Sequence, residues 1–342
     1  MNLILFDQNR KQLLPFTYTR PISEFRCGIL TLKEKWEKRF PAAQVSFLTE
    51  DYLSKKYAVS YADVNYYINA SLLADSSLAE AIFALNENEA LYSENETQLL
   101  AFKSSKKLVF DELDVSGFGK ISYTNDFLFI ENMWDIFSLN AAALEADFEL
   151  LTEGRDSEKL DVTCTHIGDR LFIEPGAKVQ AAILNSTSGP IYVGKDAEIM
   201  EGSIVRGGLA LCEGAVLKLG TKIYGATTIG PFSKVGGEVN NSVIFGYSNK
   251  GHDGFLGNSV LGEWCNLGAD TNVSNLKNNY ASIKLWNYAE NRFKDSGKQF
   301  CGMMMGDHSK SGINTMFNTA SVVGVSANVY GGGFPRNFIP SF

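Results

Sequence analysis

The sequence predicts an α/β domain followed by a parallel β-helix. Two observations carry this reading. In the second half, aliphatic residues recur at every sixth position: Val193, Ile199, Val205, Leu211, Leu217, Ile223, Ile229 and Val235. The first half instead mixes short apolar runs with amphipathic stretches. A period of six fits neither a 3.6-residue helix nor a simple alternating strand. It is the signature of hexapeptide coils stacked into a parallel β-helix.

The first domain is read as residues 1–155. "NLILF" and "QVSFLT" have the texture of buried strands, and "ISEFRCGILTLKEKWEKRF" between them carries apolar residues at helical spacing. "SLAEAIFAL" is a second helix. "ENMWDIFSLNAAALEADFELL" is a third, leading into the next domain. "NENEALYSENETQLLAFKS" reads as an edge hairpin turning at Asn-Glu. Strand–helix–strand order predicts α/β layers.

The second domain is read as residues 156–342. Four residues after each aliphatic stand mostly small ones, among them Ala197, Ser203, Ala215 and Ser233. The aliphatic points into a narrow core and the corner admits only a small side chain. One hexad cannot bury its own apolar face, so stacked neighbours do it. Ile173 and Val179 lead in. The phase breaks after Val235, returns at Phe255, Leu261, Leu267 and Val273, and breaks again. It resumes at Met305, Phe317, Val323 and Val329, with Ser311 as a weak member. The breaks are read as insertions at 241–254 and 278–304, the second an excursion hairpin. Roughly nineteen hexads, three to a turn, give about six turns and a prism roughly 30 Å tall. "MMM" at 303–305 reads as packing, and the aromatic tail "YGGGFPRNFIPSF" as a cap or a subunit contact.

Composition narrows the partners. The chain is 45% apolar and 20% charged, with a net charge of −8. That balance argues against sequence-independent grip on nucleic acid or on an anionic membrane. No apolar run approaches the roughly 20 residues of a membrane span. The opening apolar run is broken by Asp7, so it reads as a strand rather than a signal peptide. Five cysteines without CxxC spacing fit a reducing cytoplasm.

Only three histidines occur, and His252 lies in the polar, glycine-rich "SNKGHDG". Ser248–Asn275 resembles the acetyltransferase half of the bifunctional N-acetylglucosamine-1-phosphate uridylyltransferase/glucosamine-1-phosphate acetyltransferase (GlmU-type) family. The family's Ser-Lys-x-Gly-His is Ser-Asn-Lys-Gly-His here. Phe255 stands where the family has Tyr, Asn266 and Asn275 match two family asparagines, and "LGADT" replaces Gly-Ala-Gly-Thr. The resemblance implies a left-handed parallel β-helix that forms a homotrimer, with acetyl-CoA or another acyl-CoA bound between subunits. It implies that His252 is the base taking the acceptor's proton, a role suited to an imidazole at neutral pH. Glu238 would orient it, although hexad register alternatively makes Glu238 a charged corner. Asn275 and Asn266 would orient the sugar or the thioester, with Phe255 beside them, and the backbone at Gly268-Ala269 would face the pantetheine arm. The family's sugar-phosphate lysine is Asn240 here, so Lys250, Lys222 or Lys277 would supply that charge, and Leu276 replaces a family Tyr. These departures leave the acceptor open. His166 and His308 read as structural. The spacings of the three histidines, 86 and 56 residues, argue against a three-histidine zinc site.

The opening resembles sugar nucleotidyltransferases in altered form. Leu14-Pro15-Phe16-Thr17 fits their motif, while Asp7-Gln8-Asn9-Arg10-Lys11 replaces the glycine loop whose amides approach phosphate. Arg10, Lys11 or Arg20 would then supply charge to a nucleotide. Ala70 and Ser71 stand where those enzymes place a metal-binding Asp, which weighs against Mg²⁺. With both domains present, the chain resembles the divergent GlmU-like sugar nucleotidyltransferases. The implied ligand is a small sugar phosphate or sugar nucleotide. Three readings stay open. The first is CoA-dependent acyl transfer to an amino sugar. The second is sugar-1-phosphate nucleotidyl transfer with the β-helix for assembly. The third is a non-catalytic sugar-nucleotide-binding scaffold.

Overall fold

Six strands form the sheet of the first unit: β1 (Asn2–Phe6), β2 (Gln44–Leu48), β3 (Asn65–Asn69), β4 (Glu89–Ser93), β5 (Leu99–Ser104) and β6 (Gly119–Tyr123), in the order β2-β1-β3-β5-β4-β6. The computed structural model describes all 342 residues. It divides into two compact units. Met1–Leu13, Thr19–Phe25 and Leu30–Glu131 form the first, and Leu14–Tyr18, Arg26–Ile29 and Asn132–Phe342 the second.

In the first unit β1 runs parallel to β2 and β3. β5 is antiparallel to both β3 and β4, and β6 is parallel to β4. Five of the six strands therefore open their carboxyl ends on one edge. The sequence places the β4–β5 hairpin at an edge, but it lies inside the sheet. "GKISY", too polar to register as a core strand, adds beside β4 as the outer strand. The first predicted helix is shorter than its apolar pattern. Only Leu32–Arg39 (α1) is helical, started by a capping box between Thr31 and Glu34. Upstream, Gly28 adopts φ +83°, a left-handed conformation that stops a helix from forming there. Ser76–Phe83 (α2) follows the Asp75 cap as expected.

The second unit is a three-sided prism of stacked parallel strands, the left-handed parallel β-helix. Its faces carry eight, nine and eight strands, so there are about eight coils rather than six. At the usual strand spacing the prism is roughly 38 Å tall. The extra coils come from stretches that the hexad phase obscures. Residues 241–254 are no insertion: Val243–Gly246 and Asn249–Lys250 stay in the coil, paired to the strands before them. The phase breaks because corners shorten. Val239 follows Val235 after four residues and Ile244 follows Val239 after five, each pointing inward. Phe255 is accordingly not a core position. It pairs with Glu238 on the outer surface, and Leu256 beside it fills the core. The second break is a true excursion: Lys284–Asn287 and Arg292–Asp295 form an antiparallel hairpin. Met303, Met304 and Met305 are fully buried. The tail ends as Phe338–Ile339 on the last strand of the second face, with Phe338 stacked on Trp286 of the hairpin at 4.4 Å.

The continuous run of this unit starts at Asn132, earlier than residue 156. Helix Asn140–Thr152 (α3) packs on the second face, where Leu144 and Phe148 join Phe172, Tyr192 and Ala210. Asn140 donates to the Ala226 carbonyl at 2.9 Å and accepts from Thr228 at 3.1 Å. A helix on an otherwise exposed sheet face buries apolar surface that the repeat alone leaves open.

Candidate functional site

In the first unit the polar residues gather at the carboxyl edge of the sheet. Asn9 after β1, Asn95 and Gln98 after β4, and Tyr123 and Asp126 at the end of β6 line a cavity of about 790 Å³. The strand order reverses around β1, and open α/β sheets bind ligands outside the carboxyl ends at such a point. Asn9 sits at φ +59°, the left-handed conformation that a glycine loop supplies freely. Asn69, ending β3, donates to Gln8 at 2.7 Å and ties the two loops together. Apart from Asn9, which lies in the altered first motif, these cavity residues carry no sequence signal. They come together only because strands distant in sequence end on one edge.

The proposed nucleotide cations fare differently from one another. Arg10 is buried. Its guanidinium pairs with Asp7 and also donates to Thr49 and Tyr52, each at 3.1 Å. Burial pushes the Asp7 carboxyl up, while Arg10, Thr49 and the Ile22 amide pull it down. Arg20 is buried too. An ion pair turned inward cannot grip a phosphate, so of the three only Lys11 is exposed. The fit to Mg²⁺ is poor on the same grounds. Asn69, Ala70 and Ser71 are buried and carry no carboxylate, and no group of three metal-ligating side chains forms.

In the second unit, His252 caps the corner between the third and first faces. The ring is exposed and makes no hydrogen bond within the chain. The corner leads straight into Phe255–Gly257 on the first face. Side chains flanking each inward residue there form outward columns, and Lys222, Glu238 and Phe255 follow one another in one of them. Glu238 accepts from Tyr224 at 2.6 Å. Phe255 is held by its amide, which donates to Asn272 at 2.9 Å. Gly257 is bare for a reason: a Cβ there would stand 2.5 Å from the Phe255 ring and 2.6 Å from Asn275 Nδ2. Asn275 itself donates to Asn258 at 2.8 Å. The structure thus gathers His252, Phe255, Glu238 and Asn275 toward one face.

A groove of about 680 Å³ continues along this face, lined by Ile204, Arg206, Lys222, Tyr224 and Glu238. Arg206 and Tyr224 are absent from the sequence-based candidates. Their signal was the parity of the coil, since each follows an inward aliphatic by one residue. Asn266 is not with the others. It lies on the third face, bonded to Asn249 at 3.0 Å. The Gly268 amide is spent on the Ser311 carbonyl at 3.1 Å, so it is not open to a pantetheine arm. Lys277 is tied to the Ser282 carbonyl at 2.9 Å, at the start of the excursion. Lys250 is 2% exposed and points into the core, away from any sugar phosphate. His166 bonds Ser186 at 2.9 Å, and His308 stacks on Trp264.

The chain thus combines an α/β sheet that has a polar cavity at its carboxyl edge with a hexapeptide β-helix that carries an exposed corner histidine. The profile of the sugar nucleotidyl transferase family matches residues 3–156. The chain is similar to a bifunctional sugar-1-phosphate nucleotidylyltransferase/acetyltransferase of Sulfurisphaera tokodaii, 28% identical over 146 residues, which is 42% of this chain and 36% of that protein. It is also similar to the bifunctional protein GlmU of Methanocaldococcus jannaschii, 33% identical over 87 residues, or 25% of this chain and 21% of that one. The matched stretches therefore span about a third and a fifth of these relatives. Residues 3–156 thus match the sugar nucleotidyl transferase family, and a parallel β-helix follows them.

Proposed function

We propose that this chain is a transferase of sugar-nucleotide metabolism whose β-helix transfers an acyl group from acyl-CoA to an amino sugar carrying phosphate. The observation that carries the reading is His252, an exposed imidazole without a hydrogen-bond partner on the corner that leads into the face bearing Glu238 and Phe255. A ring nitrogen of His252 takes the proton of the acceptor amine as the nitrogen attacks the thioester carbonyl. The C–N bond forms, the C–S bond breaks, and the imidazolium returns the proton to the leaving thiolate. General-base catalysis of this kind contributes roughly 10²–10⁴-fold. In this reading Asn275 orients the acceptor, and Arg206 and Lys222 in the groove offer charge to its phosphate. Asn266, on another face, would reach such a site only from a second copy of the chain, in keeping with a trimer that binds acyl-CoA between subunits.

A second role is favoured by the cavity at the carboxyl edge of the first unit, whose size and polar lining suit a sugar nucleotide. In this reading the first domain binds a nucleotide through the polar side chains of this cavity, such as Asn9, Asn95 and Gln98, with Lys11 as the exposed cation of the altered first motif. No metal-dependent step is assigned to it: Glu94, Asp126 and Glu131 line the cavity, but no group of three metal-ligating side chains forms.

The test is thermal stability of the purified protein with acetyl-CoA, and separately with UTP or dTTP and Mg²⁺, beside an assay of CoA release over a panel of amino-sugar phosphates. A ligand at a hundredfold its Kd stabilises by roughly 2.7 kcal/mol. The reading expects stabilisation by acetyl-CoA and CoA release that His252→Ala lowers at least a hundredfold with the melting temperature unchanged. Stabilisation by a nucleoside triphosphate alone, with no CoA release, would leave the β-helix as an assembly domain.

A further inference from the structure

Lys250 occupies a position that the fold otherwise gives to aliphatic side chains. On the third face the inward residues run Val179, Ile199, Leu217 and Val235, and Lys250 is next in register. Leu267 follows one coil later. An unpaired ammonium in such a column is costly, so its polar contacts matter. Its Nζ donates to two backbone carbonyls, Gly236 at 2.8 Å and His252 at 2.6 Å. Neither carbonyl receives a backbone N–H.

The two carbonyls belong to corners stacked one above the other. The lower one, Gly236-Gly237, is shortened, with Val239 following Val235 after four residues where Ile223 follows Leu217 after six. It also lies close against the upper corner. A Cβ on Gly236 would meet the Gly251 oxygen at 2.7 Å, and one on Gly237 would meet the Asp253 Cα at 2.8 Å. The corner bearing His252 thus rests on a glycine floor and is tied to it from inside by one lysine.

We propose that Lys250 is a positioning residue for His252: its ammonium clips the 251–254 corner to the 236–237 corner and holds the imidazole at a set place over the first face. The inference rests on the acyl-transfer reading of His252 for its purpose, and on the two hydrogen bonds for its mechanism. A lysine serves here because its flexible stem fills a core slot while its head makes several donations. An aliphatic residue would fill the slot and leave both carbonyls without that donor.

The experiment uses the full chain with Lys250→Met and Lys250→Leu, the latter matching Leu267. Replacing a buried charge by a packed hydrophobe is often neutral for stability, so both variants are expected to fold with melting temperatures within a few degrees of the parent. Amide exchange is expected to rise at least tenfold at residues 251–254 and to stay unchanged in the neighbouring strands. In the CoA-release assay kcat is expected to fall at least tenfold with KM for acetyl-CoA within twofold, the pattern of a lost transition-state arrangement. Unchanged exchange at 251–254, an equal loss of protection over the whole β-helix, a kcat within threefold of the parent, or failure of both variants to fold would each overturn the proposal. If the parent itself releases no CoA, the acyl-transfer reading fails, and the exchange data still decide whether Lys250 holds the corner.

Discussion

The Tyr224 hydroxyl donates to Glu238 Oε1 at 2.6 Å, linking adjacent coils of the first face. Glu238 thus has a partner on its own face, in the coil that precedes it. Burial raises the Tyr224 hydroxyl's pKa to about 12, and the Glu238 carboxylate adds to the effect. Tyr224 therefore stays protonated across the physiological range and keeps donating.

Tyr224→Phe is expected to free Glu238 and alter acceptor binding more than acyl-CoA binding. A hydrogen bond to a charged group contributes roughly 1.5–3 kcal/mol, so KM for the acceptor should rise about tenfold or more, with KM for acetyl-CoA unchanged. Initial-rate kinetics with each substrate varied in turn check this. Equal shifts in both constants would show that the pair only stabilises the face.

Lys250 makes stability depend on pH in a window of its own. Burial lowers its pKa to about 8 from 10.5, with the Asp253 and Asp270 carboxylates opposing the shift. Between those values the unfolded chain holds a proton that the folded chain has released. Stability contributed by this site therefore rises as pH goes from about 8 to 10.5. Denaturation midpoints of the parent minus those of Lys250→Met should increase across this range and stay flat below it. A flat difference throughout would mean the lysine titrates as it does in water.

In the first unit, Arg10→Ala is expected to cost stability rather than nucleotide affinity. It leaves the fully buried Asp7 without its cation. Breaking one side of a buried pair typically costs about 3–5 kcal/mol. Urea unfolding followed by a probe in this unit, such as Trp36, checks the loss. Double replacement with Asp7→Asn should recover part of it, because the orphaned charge goes as well. A variant that is stable but no longer stabilised by nucleotide would instead place Arg10 in a binding site.

The parts of this molecule that are legible in its sequence share one property: they depend on local pattern. The six-residue period from Val193 to Val235 reports the coil, because each aliphatic must face a narrow core. His252 stands out through its loop and its neighbours. The excursion after residue 278 shows as a lapse in period longer than any corner.

What sequence alone determined, then, is a β-helix behind an α/β domain, with one histidine in a polar, glycine-rich loop; that this loop is a corner of the coil and no insertion came from the structure. The tertiary structure decided which side of the wall each neighbour occupies. Phe255 lies outside and Leu256 inside, Lys250 points into the core, and Asn266 turns to another face. In a strand, inward and outward positions alternate residue by residue, so a corner shortened by one or two residues shifts the phase of everything after it. The corners at Gly236-Gly237 and before Ile244 do this, and only closure of the coil shows by how much. Arg10 follows the same logic in the first unit. Its charge reads as phosphate-binding in a linear motif, but the fold brings Asp7 and Thr49 against it and turns it inward.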